Sequence, residues 1–380
     1  MFKWLVSRTV SAAIFRISAL SLIGWLFVSG VIGQESTLEG EFPKTDFSRS
    51  NVDFDEIQSG GPPRDGIPAI DNPRFIKASR ADWLHPDEPV IVVTVGEESR
   101  AYPLQILIWH EIVNDEIGGK PLAVTFCPLC NAALVFEREL DGDVLDFGTT
   151  GRLRKSDLIM YDRQTETWWQ QFTGEGLIGR HTGRTLTEYP ASIVRFGDFS
   201  EANPEGDVLS RRTGHNRPYG DNPYRGYDRI DQSPFMFDGR TDPRLPPMER
   251  ILAIRVGDES RLYPFGEFRE AHVVNEQVSN LPVVVFSSGE AFSTLDRGTI
   301  NQSRRVPSPN AFDRRIDGQT LTFELRDGKV YDAETQSSWN ALGQADSGPL
   351  AGKRLNPVQG GVHFAFAWLA FRPDSTIYRR

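Results

Sequence analysis

Two cysteines, Cys127 and Cys130, form the only Cys-x-x-Cys motif of the chain. Thiolates at this spacing can hold a soft metal ion, exchange electrons with another dithiol, or close a disulfide. The apolar run PLAVTF precedes the motif, and NAALVFERELDGD, which contains an Asp-Gly turn signal, follows it. The pair is therefore predicted on a turn between two strands, and not at the start of a helix, where redox proteins stabilise a thiolate.

A turn between strands aims both sulfur atoms at one point, as in one half of a zinc-ribbon site. A disulfide in so short a loop would stabilise the fold by only about 2 kcal/mol on the chain-entropy model, so a purely structural bridge is the weaker interpretation. His110, in LIWHEIVND, is the candidate third ligand, with a hydrogen-bonded core histidine as the alternative. Met160 and Asp157, in RKSDLIMYD, are the candidates for a fourth ligand. Thiolates with an imidazole suit copper or zinc, so one of these metals is the expected cofactor.

A long internal repeat separates residues that serve the fold from residues available for function. VGEESRAYPLQILIWHEIVNDEIGGKPLAVTF, from residue 95, resembles VGDESRLYPFGEFREAHVVNEQVSNLPVVVF, from residue 256, at a constant offset of 161. At the same offset, the positions of Cys127, Cys130 and His110 are occupied by Ser288, Ala291 and Ala271. The second copy lacks all three side chains, so their role is not simply to make the fold.

Short apolar runs separated by turn signals predict a mainly β (β-rich α+β) protein, a tandem duplication of one module packed as a pseudo-symmetric pair. The predicted segments are a signal peptide or N-terminal anchor at 1–33, a lead-in at 34–87, module 1 with the Cys-x-x-Cys knuckle at 88–209, a linker at 210–249, and module 2 without cysteines at 250–380.

The linker is rich in Tyr, Arg, Asn, Gly and Pro. Its aromatic content argues against disorder, so residues 214–228 are expected to lie against the first module with their tyrosines partly buried. Arg163 becomes Ala333 in the second copy and is a further candidate. The candidate ligand-binding surface comprises Arg163, Arg217, Tyr219, Asn222, Tyr224 and Tyr227.

Charge and the N-terminus indicate where the protein works. The net charge of −10 argues against nucleic acid and against a general affinity for anionic membranes. Basic residues, then ISALSLIGWLFVSGVIG, then a polar run follow the order of an export signal, which is either cleaved or kept as an anchor. The expected location is periplasmic or extracytoplasmic, with membrane contact only through this segment if it is uncleaved. The sequence names no protein partner.

Three strings, AYPLQILIWHEIVND, TFCPLCNAALVFER and FGTTGRLRKSDLIMYDRQTETWW, resemble the bacterial domain-of-unknown-function family 3179. The linker string LSRRTGHNRPYGDNPYRGYD resembles it as well, so the likeness extends from about residue 60 onward. The resemblance implies export and the cysteine pair, but no reaction. Asn131 stands where the family usually has Gly, and Asn tolerates the left-handed turn that a knuckle needs.

Three functions follow from these observations. The first is binding of copper or zinc by Cys127, Cys130 and His110. The second is thiol–disulfide exchange by the cysteines alone. The third is a ligand- or partner-binding module in which the cysteines only shape a loop. The chain contains no Gly-rich phosphate loop, no HExxH and no GxSxG motif, so these enzyme classes are not indicated.

Overall fold

The computed structural model describes residues 38–268 and 272–380, and strands dominate it. Strands hold 42% and helices 10% of the structure, which confirms the expected mainly β class. The chain divides into two compact units, Met1–Lys44 and Thr45–Arg380. Residues 38–41 of the first unit form a helical turn, and the strands of the described residues all belong to the second unit. The predicted export segment at 1–33 lies outside the described residues.

The first half of the second unit contains three main sheets. The first joins, in order of pairing, β15 (Ser192–Arg195), β3 (Pro89–Val95), β4 (Glu98–Pro103), β16 (Asp207–Leu209) and β2 (Phe75–Lys77). The second joins β14 (Glu188–Tyr189), β7 (Ala132–Glu137), β6 (Lys120–Cys127) and β5 (Ile112–Ile117). The third joins β1 (Ile57–Ser59), β10 (Phe147–Arg154), β11 (Asp157–Asp162), β12 (Trp168–Gln170) and β13 (Gly176–Ile178), and β8 (Glu139–Leu140) pairs separately with β9 (Asp143–Val144).

The second half is built from the same kinds of sheet. One joins β28 (Gly360–Phe364), β17 (Arg250–Val256), β18 (Glu259–Pro264) and β29 (Thr376–Ile377). Another joins β19 (Val273–Val278), β20 (Leu281–Phe292) and β21 (Arg305–Asp313). A third joins β24 (Phe323–Arg326), β25 (Lys329–Asp332), β26 (Ser338–Trp339) and β27 (Ala345–Ser347), and β22 (Arg315–Ile316) pairs with β23 (Gln319–Thr320).

Helices are short and connect strands. The α-helices are α1 (Leu104–Leu107), α2 (Phe196–Ala202) and α3 (Ala365–Phe371). The 3₁₀ turns are Phe54–Glu56, Ala78–Arg80, Phe265–Phe268 and Ile300–Gln302. Helix α1 is a single turn whose four residues are all buried.

Shared residues of the repeat make the same hydrogen bonds in both halves. The Asn114 amide donates to the Phe147 carbonyl (2.8 Å), and Asn275 donates to Phe323 in the same way (2.7 Å). The indole nitrogen of Trp169 donates to the Asp162 carboxylate at 2.9 Å, and the pair formed by Trp339 and Asp332 has the same distance. These contacts explain why both copies retain these residue types. Superposition of the two halves as one module stays a prediction.

Hydrogen bonds join the two halves, and one of them lies at the cysteine turn. The Phe364 N–H of β28, in the second half, donates to the Cys130 carbonyl (2.9 Å). Two side chains of the second half, Ser308 Oγ and Asn310 Nδ2 of β21, likewise donate to a first-half acceptor, the Ile193 carbonyl of β15, at 3.0 and 3.1 Å. One buried apolar cluster therefore includes residues of both halves, and the cysteine turn lies within it.

Candidate metal centre

The two cysteines lie at the turn between β6 and β7. Cys127 ends β6, residues 128–131 turn, and β7 begins at Ala132. Asn131 has the left-handed φ of 49°, and its N–H donates to the Pro128 carbonyl at 3.2 Å. The predicted knuckle between strands is confirmed, and Asn131 takes the backbone conformation that glycine would supply.

A second hairpin turn meets this knuckle. Lys155 and Ser156 connect β10 to β11 with positive φ values of 53° and 69°, a turn geometry that usually selects Gly or Asn. The Ser156 carbonyl accepts from the thiols of Cys130 (3.5 Å) and Cys127 (3.9 Å). Strained turn residues are tolerated where the surrounding structure holds them, and here they bring a carbonyl oxygen to both sulfur atoms.

Asp157, the residue after this turn, completes a group of three potential metal ligands. One of its carboxylate oxygens and the sulfur atoms of Cys127 and Cys130 all lie within 4.8 Å of one another. Asp157 and Cys130 are fully buried, and Cys127 is 2% exposed. Asp157 Oδ2 accepts from Gln170 Nε2 (2.7 Å) and the Phe172 N–H (2.9 Å). Asp157 Oδ1 is buried without a hydrogen-bond partner among the described residues.

Burial raises the pKa of every acid in this group. It raises the pKa of Cys127 and, further, that of Cys130. Burial also raises the pKa of Asp157 to about 7, against the hydrogen bonds from Gln170 and Phe172. No basic side chain in the described ranges forms an ion pair with any of these three groups. The centre thus holds three acids without a compensating cation.

Glu111 is a fourth acid beside this group, and sequence reasoning missed it. It is 6% exposed, and within 38–268 and 272–380 no donor hydrogen-bonds its carboxylate. Burial and then the charge of Asp157 raise the pKa of Glu111 to about 8. Its backbone is left-handed at φ 59°, and its carbonyl accepts from the Phe126 N–H of β6. Glu111 directly follows the predicted ligand His110. Sequence spacing alone does not show the left-handed backbone at Glu111, which sends the two side chains in different directions.

The structure places His110 outside the cysteine group. Its ring is fully buried, with Nδ1 at 2.7 Å from the Pro68 carbonyl and Nε2 at 2.6 Å from the Tyr219 hydroxyl. Since a carbonyl only accepts, Nδ1 carries the proton and Nε2 accepts from Tyr219. Burial lowers the pKa of His110 to about 4, so the ring is neutral. The expected convergence with the sulfur atoms is therefore replaced by the alternative, a hydrogen-bonded core histidine.

The other predicted ligands and surface residues separate in space. Met160 is buried in the apolar cluster, and the two-residue period of β11 puts it on the strand face opposite Asp157. Arg163 lies near the carboxylates of Asp71 (3.2 Å) and Asp65 (3.8 Å). Of the two proposed fourth ligands, only Asp157 joins the cysteines.

The linker covers the knuckle, and its three tyrosines are partly buried against the first half, as expected. The Tyr227 hydroxyl donates to the Leu129 carbonyl (3.0 Å), and Ser156 Oγ donates to the Phe235 carbonyl (2.6 Å). Burial, followed by the acidic groups of Glu111 and Cys127, raises the pKa of Tyr224. The linker thus contacts both turns of the centre.

Two other predicted surface residues bind backbone instead of forming one face with these tyrosines. Arg217 donates to the Gly66 carbonyl at 3.3 Å. The buried Asn222 donates through its side chain to the Arg297 carbonyl at 3.0 Å. Their side chains hold the linker in place.

The fold and the centre define a β-rich protein with a buried Cys–Cys–Asp group beneath a tyrosine-rich linker. The chain belongs to the family described as "Protein of unknown function (DUF3179)", whose model matches residues 64–375 and confirms the resemblance. No curated protein and no solved structure is significantly similar to the chain. Among the described residues, no helix has the length and apolarity to cross a membrane.

Proposed function

We propose that this protein binds one borderline metal ion, zinc in the first place, through Cys127, Cys130 and Asp157. The observation that carries the proposal is the approach of their three donor atoms to within 4.8 Å of one another in a fully buried site. In a tetrahedral zinc site, bonds of about 2.3 Å to sulfur and 2.0 Å to oxygen separate neighbouring ligand atoms by about 3.5–3.8 Å. The upper limit of 4.8 Å therefore leaves at most about 1.3 Å of contraction, which side-chain rotation can supply.

The burial of several acidic groups together also favours a bound metal cation. Burying an acidic group without a partner is unfavourable, and burying several together adds their mutual repulsion. A divalent cation would compensate two thiolates or a thiolate and a carboxylate. Neither a structural cysteine loop nor a simple binding module gives a reason to bury Asp157 against two thiols.

The fourth position has two candidates. The Ser156 carbonyl already lies 3.5 and 3.9 Å from the two sulfur atoms. Glu111 is buried, has no hydrogen-bond donor among the described residues, and is near enough to Asp157 for the charge of that carboxylate to raise its pKa. With either residue the site is closed to solvent, as structural zinc sites are.

Zinc is preferred to copper because of the carboxylate. Cu(I) selects soft sulfur ligands, whereas Zn²⁺ accepts sulfur and oxygen together. Thiol–disulfide exchange has less support. It requires an accessible, readily formed thiolate, but both sulfur atoms are buried, burial raises their pKa values, and the pair lies between strands instead of at a helix N-terminus.

The test is the metal content of full-length protein purified anaerobically with reductant, measured by mass spectrometry. We expect about one zinc per chain, lost in Cys127→Ser and strongly reduced in Asp157→Asn. Asp162→Asn is the matched control, because Asp162 is fully buried on the same strand but lies outside the group. One copper per chain, unaffected by Asp157→Asn, would assign a copper thiolate site instead. Wild type without metal, even after incubation with zinc, would refute the proposal.

The location remains part of this proposal. The order of residues 1–33 supports export, so we expect the metal to be acquired outside the cytoplasm or during export. Cell fractionation, together with the N-terminal sequence of the mature protein, distinguishes a cleaved signal from a retained anchor. Recovery of uncleaved protein in the cytoplasm would contradict export.

A further inference from the structure

A cleft separate from the cysteine centre lies between the two halves. Its volume is about 290 Å³, near the lower end of pockets that hold small organic ligands. Its apolar walls include Val92, Tyr189, Pro190, Ala191, Phe312 and Leu342, and polar groups of Thr94, Ser192 and Asn356 line the rest. A cleft of this kind can bury the hydrocarbon or aromatic part of a small molecule.

One cation, Arg354, lines this cleft without an acidic partner. It is half-buried, and no carboxylate of the described chain forms an ion pair with it. When the Gln344 amide presents its oxygen, that neutral group accepts from the guanidinium, including Nε at 3.2 Å. The remaining hydrogen-bonding capacity of the guanidinium has no anionic partner.

Other desolvated arginines of this protein differ from Arg354. Burial lowers the pKa of Arg211, Arg250 and Arg372 as well, but in each case a carboxylate opposes the effect: Glu88, Asp228 and Glu188, respectively. For Arg354, burial lowers the pKa and no acid opposes it. A bound anion would supply the missing charge.

We propose that this cleft binds a small organic monocarboxylate, with its carboxylate on Arg354 and its apolar body against the walls. The planar guanidinium fork matches a carboxylate in two parallel hydrogen bonds. A single cation in a cleft whose other lining side chains are uncharged matches a single negative charge, whereas a phosphate ester would bring more charge than the site can compensate. The proposal is independent of the metal centre, since none of the three metal-ligand candidates lines the cleft.

Calorimetric titration of the full chain with acetate, hexanoate and benzoate tests this site, with benzyl alcohol as the neutral probe. We expect hexanoate and benzoate to bind, acetate at least about tenfold more weakly because it lacks the apolar body, and benzyl alcohol not measurably. Arg354→Gln should weaken the binding of benzoate at least about tenfold, because it removes the charge-assisted hydrogen bonds. Lys353→Gln is the matched control: it removes the same charge one residue away, from an exposed side chain that pairs with Asp317.

A second variant keeps the test decisive if Arg354→Gln folds poorly. Ala191→Phe fills the cleft and should abolish the binding of hexanoate and benzoate while Arg354 stays in place. Equal thermal unfolding midpoints of this variant and wild type would show that the fold is intact. Failure of all three carboxylates to bind wild type at concentrations up to about 10 mM would overturn the proposal. Benzoate binding that neither Arg354→Gln nor Ala191→Phe weakens would also overturn it.

Discussion

Replacing Asp157 by Asn should stabilise the metal-free protein relative to wild type and destabilise the zinc-bound protein relative to wild type. Asn has the shape of the neutral acid, and its amide oxygen can still accept from Gln170 and the Phe172 N–H. In the metal-free protein the substitution removes a buried charge that nothing compensates. In the zinc-bound protein it removes a ligand.

The magnitude follows from the proton affinity of the carboxyl group. Burial raises the pKa of Asp157 from its ordinary value of 3.8 to about 7, so the folded protein holds this proton more tightly than the unfolded chain does. The stability that the protonated group contributes is complete below pH 3.8 and is lost as the pH rises through about 7. The full loss is about 4 kcal/mol, of which about 3 kcal/mol falls between pH 4.5 and pH 8.

Urea unfolding at pH 4.5 and pH 8 measures this effect, with both proteins reduced and treated with chelator. At pH 8 we expect metal-free Asp157→Asn to be more stable than wild type by about 2–4 kcal/mol, and at pH 4.5 the two should lie within about 1 kcal/mol. Saturating zinc should then stabilise wild type by several kcal/mol, about 4 at a thousandfold excess over Kd, and leave the variant nearly unchanged.

The control again is Asp162→Asn. Asp162 accepts from the Thr165 N–H (2.6 Å) and the Trp169 indole (2.9 Å), so its substitution disturbs hydrogen bonds without touching the cysteine group. We expect it to be less stable than wild type at both pH values, and zinc should stabilise it as it does wild type. If metal-free Asp157→Asn shows no gain at pH 8, or if zinc stabilises Asp157→Asn and wild type equally, the argument from the buried charge is refuted.

Three further substitutions test the surroundings of the centre. His110→Gln should leave the metal content unchanged and lower the free energy of unfolding by about 1–3 kcal/mol, because it disturbs the hydrogen bonds of a buried ring; loss of metal in this variant would restore His110 as a ligand. Tyr227→Phe removes the hydroxyl that donates to the Leu129 carbonyl, so it should lower the free energy of unfolding by about 1 kcal/mol and speed proteolysis within the linker 210–249. An unchanged cleavage rate would show that this contact does not hold the linker. Asp228→Ala removes the carboxylate that lies 2.8 Å from the buried Arg250 guanidinium and should lower the free energy of unfolding in urea by about 3–5 kcal/mol. A decrease below about 1 kcal/mol would mean that Arg250 contacts solvent or another acid in the variant.

Local sequence signals were sufficient where backbone conformation decides the structure. Asp141 and Gly142 predicted a hairpin turn, and both have positive φ values, 54° and 89°, between β8 and β9. Asn131 after the second cysteine predicted a left-handed turn, and it has one. These turns depend on a few residues that are neighbours in sequence, so residue type and hydrophobic periodicity are enough to predict them.

The ligand set depends on contacts between distant segments, and there spacing alone failed. His110 and Glu111 are neighbours, but the left-handed backbone at Glu111 reverses the chain at the start of β5. His110 therefore points toward the Pro68 carbonyl and the linker, while Glu111 lies on the side of Asp157. A strand period cannot predict this, since the left-handed residue lies in the connection between α1 and β5.

A length difference between the two copies does carry information about Asp157. Phe147 pairs with Asp162 in the first half, and Phe323 pairs with Asp332 in the second, so the two hairpins start from matching pairs. The chain between the paired residues is six residues longer in the first copy, because 15 positions separate Phe147 from Asp162 and nine separate Phe323 from Asp332.

The additional residues lengthen the hairpin formed by β10 and β11 in the first copy. They follow a shift in the pairing register of β10 between Thr149 and Arg152. Strand β11 has six residues and β25 four, and the longer hairpin ends in the turn that brings the Ser156 carbonyl and the Asp157 carboxylate to the cysteines. In the second copy the hairpin is short, and the positions of the cysteines hold Ser288 and Ala291. Cysteines and hairpin extension thus occur together in one copy and are absent together from the other, as expected if both serve one site and neither is needed for the fold.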